Sequence, residues 1–118
     1  MSDVAYKLVD RAEWSAARAD GAYAGSAIDR ADGYIHLSAA DQLAETARRH
    51  YAGRADLMLV ALDLRPLGDD LKWEASRGGA LFPHVYAPLP VSAAIGERPL
   101  SVDADGVMRF EDGAVGWP

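Results

Sequence analysis

Between Asp56 and Leu64 the chain carries six consecutive apolar residues, Leu57-Met58-Leu59-Val60-Ala61-Leu62. Successive side chains of a strand point to opposite faces. A strand of this composition is apolar on both sides and needs cover on both, as a central strand does. The rest of the chain must therefore wrap around it. This is the longest apolar run, and it is far short of the ~20 residues of a membrane-spanning helix.

Around this strand the local signals read in order. Ala5-Tyr6-Lys7-Leu8-Val9 is a first strand. Asp10, with Glu13 three residues on, has the form of a helix N-cap, and a short helix follows through Trp14 to about Ala19, ended by Asp20-Gly21. Ala22 to Asp32 has few strong apolar residues and reads as loop. Gly33 to Ser38 is a second strand. Ser38 is expected to cap a helix from Ala39 to about Tyr51, with Leu43, Ala47 and Tyr51 on one face and Gly53 closing it. After the central strand, Pro66 and Gly68 mark a turn. Leu71 to Glu74, Pro83 to Tyr86, Val91 to about Glu97 and Val107 to Phe110 read as short strands. Two short helices in the N-terminal half followed by several strands indicate an α+β fold with small mixed or antiparallel sheets, not a regular βαβ repeat.

The 118 residues fit one domain, spanning 1–118. Cysteine is absent, which removes disulfides, thiolate metal sites and cysteine nucleophiles and agrees with a reducing, cytoplasmic setting. The first residues have no basic and apolar leader pattern, so no signal peptide is expected. Twelve Lys and Arg are scattered among eighteen acids, for a net charge of −6. That field repels a polyanion. A small-molecule ligand is expected as partner, with neither nucleic acid nor membrane.

Two clusters carry candidate chemistry. On the second strand Tyr34, His36 and Ser38 share one face, while Ile35 and Leu37 share the other, which is core. The polar row runs into a helix start, where free backbone N–H groups suit an oxygen-rich ligand. The second cluster lies between Trp73 and Tyr86. There Arg77 can engage a phosphate or carboxylate, Gly78 and Gly79 allow close approach, and Glu74 can accept from sugar hydroxyls. Trp73 and Tyr86 can stack on a flat ring, and His84 adds an imidazole. His36, Glu74 and His84 are the candidate catalytic groups; Ser38, Trp73, Arg77, Gly78, Gly79 and Tyr86 are the candidate ligand contacts. His36 and His84 can meet in space, but no third metal ligand is evident. The nucleophile-elbow, P-loop and dinucleotide glycine patterns are absent.

Through Asp32-Gly33-Tyr34-Ile35-His36-Leu37-Ser38, Gln42-Leu43, Thr46-Ala47, Trp73-Glu74, Ser76-Arg77-Gly78-Gly79, Phe82-Pro83-His84-Val85-Tyr86 and Pro88-Leu89-Pro90, the chain resembles the bacterial family known as domain of unknown function 952, over about residues 5–97. That resemblance implies a fold similar to ADP-ribosyltransferases. Ile35-His36-Leu37-Ser38 also looks like the His-Leu-Ser segment of the RNA 2'-phosphotransferases, which use NAD in a cleft between two small sheets. The implied cofactor is NAD, with His36 and Ser38 as the residues that match. The chain departs from those enzymes at Tyr6-Lys7, where they place an Arg or a His-Gly pair, and it offers no late glutamate in a supporting motif. Three readings follow: a nucleotide site of NAD type, a non-catalytic binding module, and a phosphoesterase using two histidines as acid and base. The tail after Leu100, ending Gly116-Trp117-Pro118, is read as an edge cap or a partner contact.

Overall fold

A computed structural model describes residues 3–113. The central strand proves to be the spine of a four-stranded antiparallel sheet. We number the strands β1 (Val4–Asp10), β2 (Ala22–Tyr23), β3 (Ile35–His36), β4 (Leu57–Asp63), β5 (Leu71–Ala75), β6 (Leu81–Val85), β7 (Leu89–Pro90), β8 (Ala94–Val102) and β9 (Met108–Phe110). The helices are α1 (Arg11–Asp20), α2 (Ala27–Asp32) and α3 (Leu43–His50). The large sheet has the order β1-β4-β8-β9, so β4 is interior. A second sheet has the order β3-β6-β5, and β2 pairs with β7.

The two faces of β4 feed two separate cores. Leu57 and Leu59 pack with Leu8, Leu100, Val102, Met108 and Phe110 under Leu43 and Ala47 of α3. Val60 and Leu62 face the other way, toward Trp14 and Ala17 of α1 and toward Ile35, Leu37 and Val85 of the second sheet. The apolar run is thus covered on both sides, as its composition requires. No described helix is long and apolar enough to cross a membrane.

The two sheets meet at one antiparallel bridge. Tyr6 donates its N–H to the Ser38 carbonyl oxygen at 2.8 Å, and Ser38 returns the bond to Tyr6 at 2.9 Å. Below this seam a cavity opens between β1 on one side and β3 and β6 on the other.

Three local expectations are corrected. Ala22 to Asp32 is not loop throughout: it holds β2 and α2. The signal for α2 is polar, which is why an apolar periodicity does not reveal it. Ser26 caps the helix, its Oγ accepting from Asp29 N–H at 3.2 Å, and Asp29 accepts in return from Ser26 N–H at 2.9 Å. Ser38 is not a helix cap. The helix opens with a 3-10 turn at Ala40–Gln42 before α3, and the Ser38 backbone is committed to the bridge with Tyr6. Asp10 caps α1 as expected, accepting from the N–H groups of Ala12 and Glu13 at 3.0 and 3.3 Å. The last strands also shift, with β8 running Ala94–Val102, beyond the expected end at Glu97. The terminal Gly116-Trp117-Pro118 segment lies outside the described residues.

Candidate functional site

Strand alternation sorts the second sheet into a dry face and a wet face. Ile35, Val85, Leu71 and Trp73 turn toward the core. The other face carries Tyr34, His36, Lys72, Glu74, Phe82, His84 and Tyr86. His36 on β3 is the direct cross-strand partner of His84 on β6. Their ring centroids lie 5.5 Å apart, edge to face.

Each imidazole is oriented by a carboxylate. His36 Nδ1 lies 2.6 Å from Asp29 Oδ1, and its Nε2 lies 3.0 Å from Asp32 Oδ2. With both ring nitrogens protonated, both donate. His84 Nδ1 lies 2.8 Å from Glu74 Oε1, and the Tyr86 hydroxyl donates to the same oxygen at 2.7 Å. The Tyr34 ring stacks on His84 at 4.2 Å and lies 4.7 Å from His36 and 5.2 Å from Tyr86. Four rings therefore form one cluster centred on Tyr34.

Asp29 is the hub beneath this face. It is 2% exposed and paired with Lys7, which is 7% exposed. Lys7 Nζ reaches Asp29 Oδ2 at 3.1 Å and donates to the His36 carbonyl oxygen at 2.8 Å. Asp29 also accepts from the N–H groups of His36 at 3.1 Å and Ser26 at 2.9 Å. Burial pushes the Asp29 carboxyl up, but the bonds from His36 and the charge of Lys7 outweigh it and hold the carboxyl well below the usual carboxylate range. For Lys7, burial dominates and lowers the ammonium, with Asp29 opposing. Gly25 leaves room for this hub: its φ is +102°, and a Cβ there would lie 2.9 Å from Asp29 Cβ.

The cavity beside the hub has a volume of about 530 Å³. Lys7, Asp29, Asp32, His36, Ser38 and His84 contribute to its wall. Ser38 Oγ lies 2.9 Å from Thr46 Oγ1. The Thr46 hydroxyl donates to the Gln42 carbonyl oxygen at 3.1 Å, so Ser38 is the donor in that pair.

Of the residues singled out in the sequence, His36, Ser38 and His84 line one cavity. Glu74 and Tyr86 sit behind His84, as its orienting shell. Trp73 does not join them: it occupies the opposite face of β5 and packs against the core, because it is one residue out of phase with Lys72 and Glu74. Gly78 and Gly79 do not line the cavity. They take φ values of +69° and +83° in the turn joining β5 to β6, which accounts for both glycines. The side chain of Arg77 lies outside what the structure describes. Lys7 and Asp29, the centre of the charge network, were not among the sequence candidates. The capping pattern Ser26 to Asp29 was the legible sign of Asp29. Nothing local marks Lys7. Among the described residues there is no group of three or more His, Asp or Glu with the geometry to hold a metal ion.

No curated protein matches the chain. Three solved structures of one protein, CC0527 from Caulobacter crescentus, resemble it closely. Its crystal structure is 57% identical, with a TM-score of 0.84 over 89% of this chain and 92% of that one. Its solution structure is 56% identical, with a TM-score of 0.77 over 89% of this chain and 90% of that one. The family model described as protein of unknown function (DUF952) matches residues 8–96, and on that match, over most of its length, the chain belongs to this family.

Proposed function

We propose that the cavity is a binding site for a small polar ligand of the nucleotide class, NAD or a close relative, on a fold of the ADP-ribosyltransferase type. The observation that carries this reading is the cross-strand pair His36 and His84, two carboxylate-oriented imidazoles on the wall of one cavity between two small sheets. Such a wall offers imidazole nitrogens and the Ser38 hydroxyl to ribose hydroxyls and phosphate oxygens. The volume of about 530 Å³ is within the ordinary range of small-molecule sites. Asp32 is half exposed, so His36 Nε2 is the ring atom for which a ligand competes.

The test is ligand-dependent thermal stability with NAD, ADP-ribose, nicotinamide, cyclic nucleotides and inorganic phosphate, on the wild-type protein and His36→Ala. A ligand at ~100 times its dissociation constant adds about 2.7 kcal/mol if it binds only the folded state. A shift with NAD or ADP-ribose that the variant loses is the expected result. No shift with any of them overturns the reading and leaves a non-catalytic interaction module in its place.

A second reading has its own support in the edge-to-face distance between the two imidazoles. One ring as base and the other as acid can serve a phosphate ester lying against both from the cavity. Turnover of a cyclic nucleotide by the wild-type protein, lost in both His36→Ala and His84→Ala, is its signature; a wild-type protein that leaves the cyclic nucleotide intact ends it.

A further inference from the structure

We infer that the Arg54 guanidinium holds a phosphate group of the ligand at the rim of this cavity, an assignment that rests on the nucleotide reading above. Among the described residues one lysine and one arginine line the cavity, Lys7 and Arg54. Lys7 is committed to Asp29 and to the His36 carbonyl oxygen. Arg54 is not committed: no described residue accepts a hydrogen bond from its guanidinium. Every other arginine whose side chain is described is bound to a carboxylate or, for Arg30, to the Gly25 carbonyl oxygen. In a chain of eighteen acids and net charge −6, an arginine that lines a cavity and has no carboxylate partner among the described residues stands apart.

The guanidinium is also held in place. It lies over the Tyr51 ring, 5.2 Å from the centroid. That ring is fixed by its hydroxyl, which donates to the Leu8 carbonyl oxygen at 3.0 Å. Arg54 N–H donates to the Tyr51 carbonyl oxygen at 3.0 Å, and the Arg54 carbonyl oxygen accepts from Val102 N–H at 2.8 Å. Backbone and ring together bias the planar fork toward this position, which lowers the ordering cost when an anion arrives. The fork matches two oxygens of a phosphate. Arg54 enters the cavity from the α3 side and the two histidines from the β3-β6 side, so one ligand can span from phosphate to imidazoles.

The experiment is calorimetric titration of adenosine monophosphate, ADP-ribose and adenosine into the wild-type protein, Arg54→Gln and Arg54→Lys, with urea midpoints recorded for all three. Arg54 is exposed, so the midpoints are expected to coincide. The phosphate-bearing ligands are expected to bind Arg54→Gln about tenfold or more weakly, equivalent to 1.4 kcal/mol per factor of ten. Arg54→Lys is expected to recover part of the loss, and adenosine to bind all three proteins alike. If the wild-type protein binds adenosine and its phosphates equally, or if Arg54→Gln binds the phosphates as the wild type does, the Arg54 assignment is wrong and the nucleotide reading stands. If the wild-type protein binds none of the three, both are wrong.

Discussion

His36 and His84 face each other across the β3–β6 pair with ring centroids 5.5 Å apart, and each presents its Nδ1 to a different carboxylate. The two rings differ in surroundings. His84 is 3% exposed and stacked by Tyr34, whereas one-third of the His36 side chain is open to the cavity. His84→Ala removes a buried ring and leaves a hole under Tyr34, and is expected to cost about 2–3 kcal/mol. Urea unfolding reads this as a lowered midpoint at unchanged slope. A midpoint equal to that of the wild type would show that the ring does not pack as described.

Asp29 and Asp32 both touch His36, but one is buried and the other is half exposed. Removing the charge of Asp29 leaves Lys7 buried without its partner and is expected to cost about 3 kcal/mol or more in Asp29→Asn. Asp32→Asn breaks a solvated pair and is expected to cost less than about 1 kcal/mol. Equal costs for the two variants would contradict the burial of the Lys7–Asp29 pair.

Acid should reach the fold through Asp29. Its carboxyl sits below its ordinary value in the folded chain, so the unfolded chain takes up a proton, near pH ~4, that the folded chain refuses. The stability this provides is complete above that region and is lost as the pH falls. Between pH ~5 and pH ~3 the wild type is expected to lose stability more steeply than Asp29→Asn, in denaturant midpoints measured at each pH. Other depressed carboxylates, such as Asp63 and Asp103, act in both proteins alike and cancel in the comparison. Parallel curves would refute the prediction.

The shared acceptor Glu74 should be visible at the alkaline end. Its hydrogen bond from the Tyr86 hydroxyl pushes that phenol up to about 12 and, with the bond to His84, lowers the carboxylate. Because the Tyr86 value is raised, its contribution to stability is present below pH ~10 and is lost as the pH climbs through about 12. Following phenolate absorbance, Glu74→Gln is expected to bring one of the five tyrosines back toward ~10. Tyr23 and Tyr51, raised chiefly by burial, should stay where they are. The same titration curve in wild type and variant would remove the Glu74–Tyr86 bond from the account.

What the sequence alone determined is what alternation and capping can encode over a few residues. Leu57 to Leu62 demanded a strand covered twice; Ile35 and Leu37 opposite His36 assigned one face to core; Asp10 opened α1; the α+β class followed from the order of elements. These features depend on neighbours two to four positions apart, where backbone geometry leaves little choice. The same local logic misplaced Trp73, because a residue type that suits a ligand suits a core equally, and the phase of β5 was set by its pairing with β6. Tertiary structure alone decided the rest. The His36–His84 pair joins positions 48 apart, and Lys7 meets Asp29 across a separation of 22. Those meetings depend on strand register and on the Tyr6–Ser38 seam between the sheets, which bring distant polar groups into one desolvated place. Burial then forces each of them to find a charged partner, and that requirement, absent from any short stretch of the chain, is what assembles the candidate site.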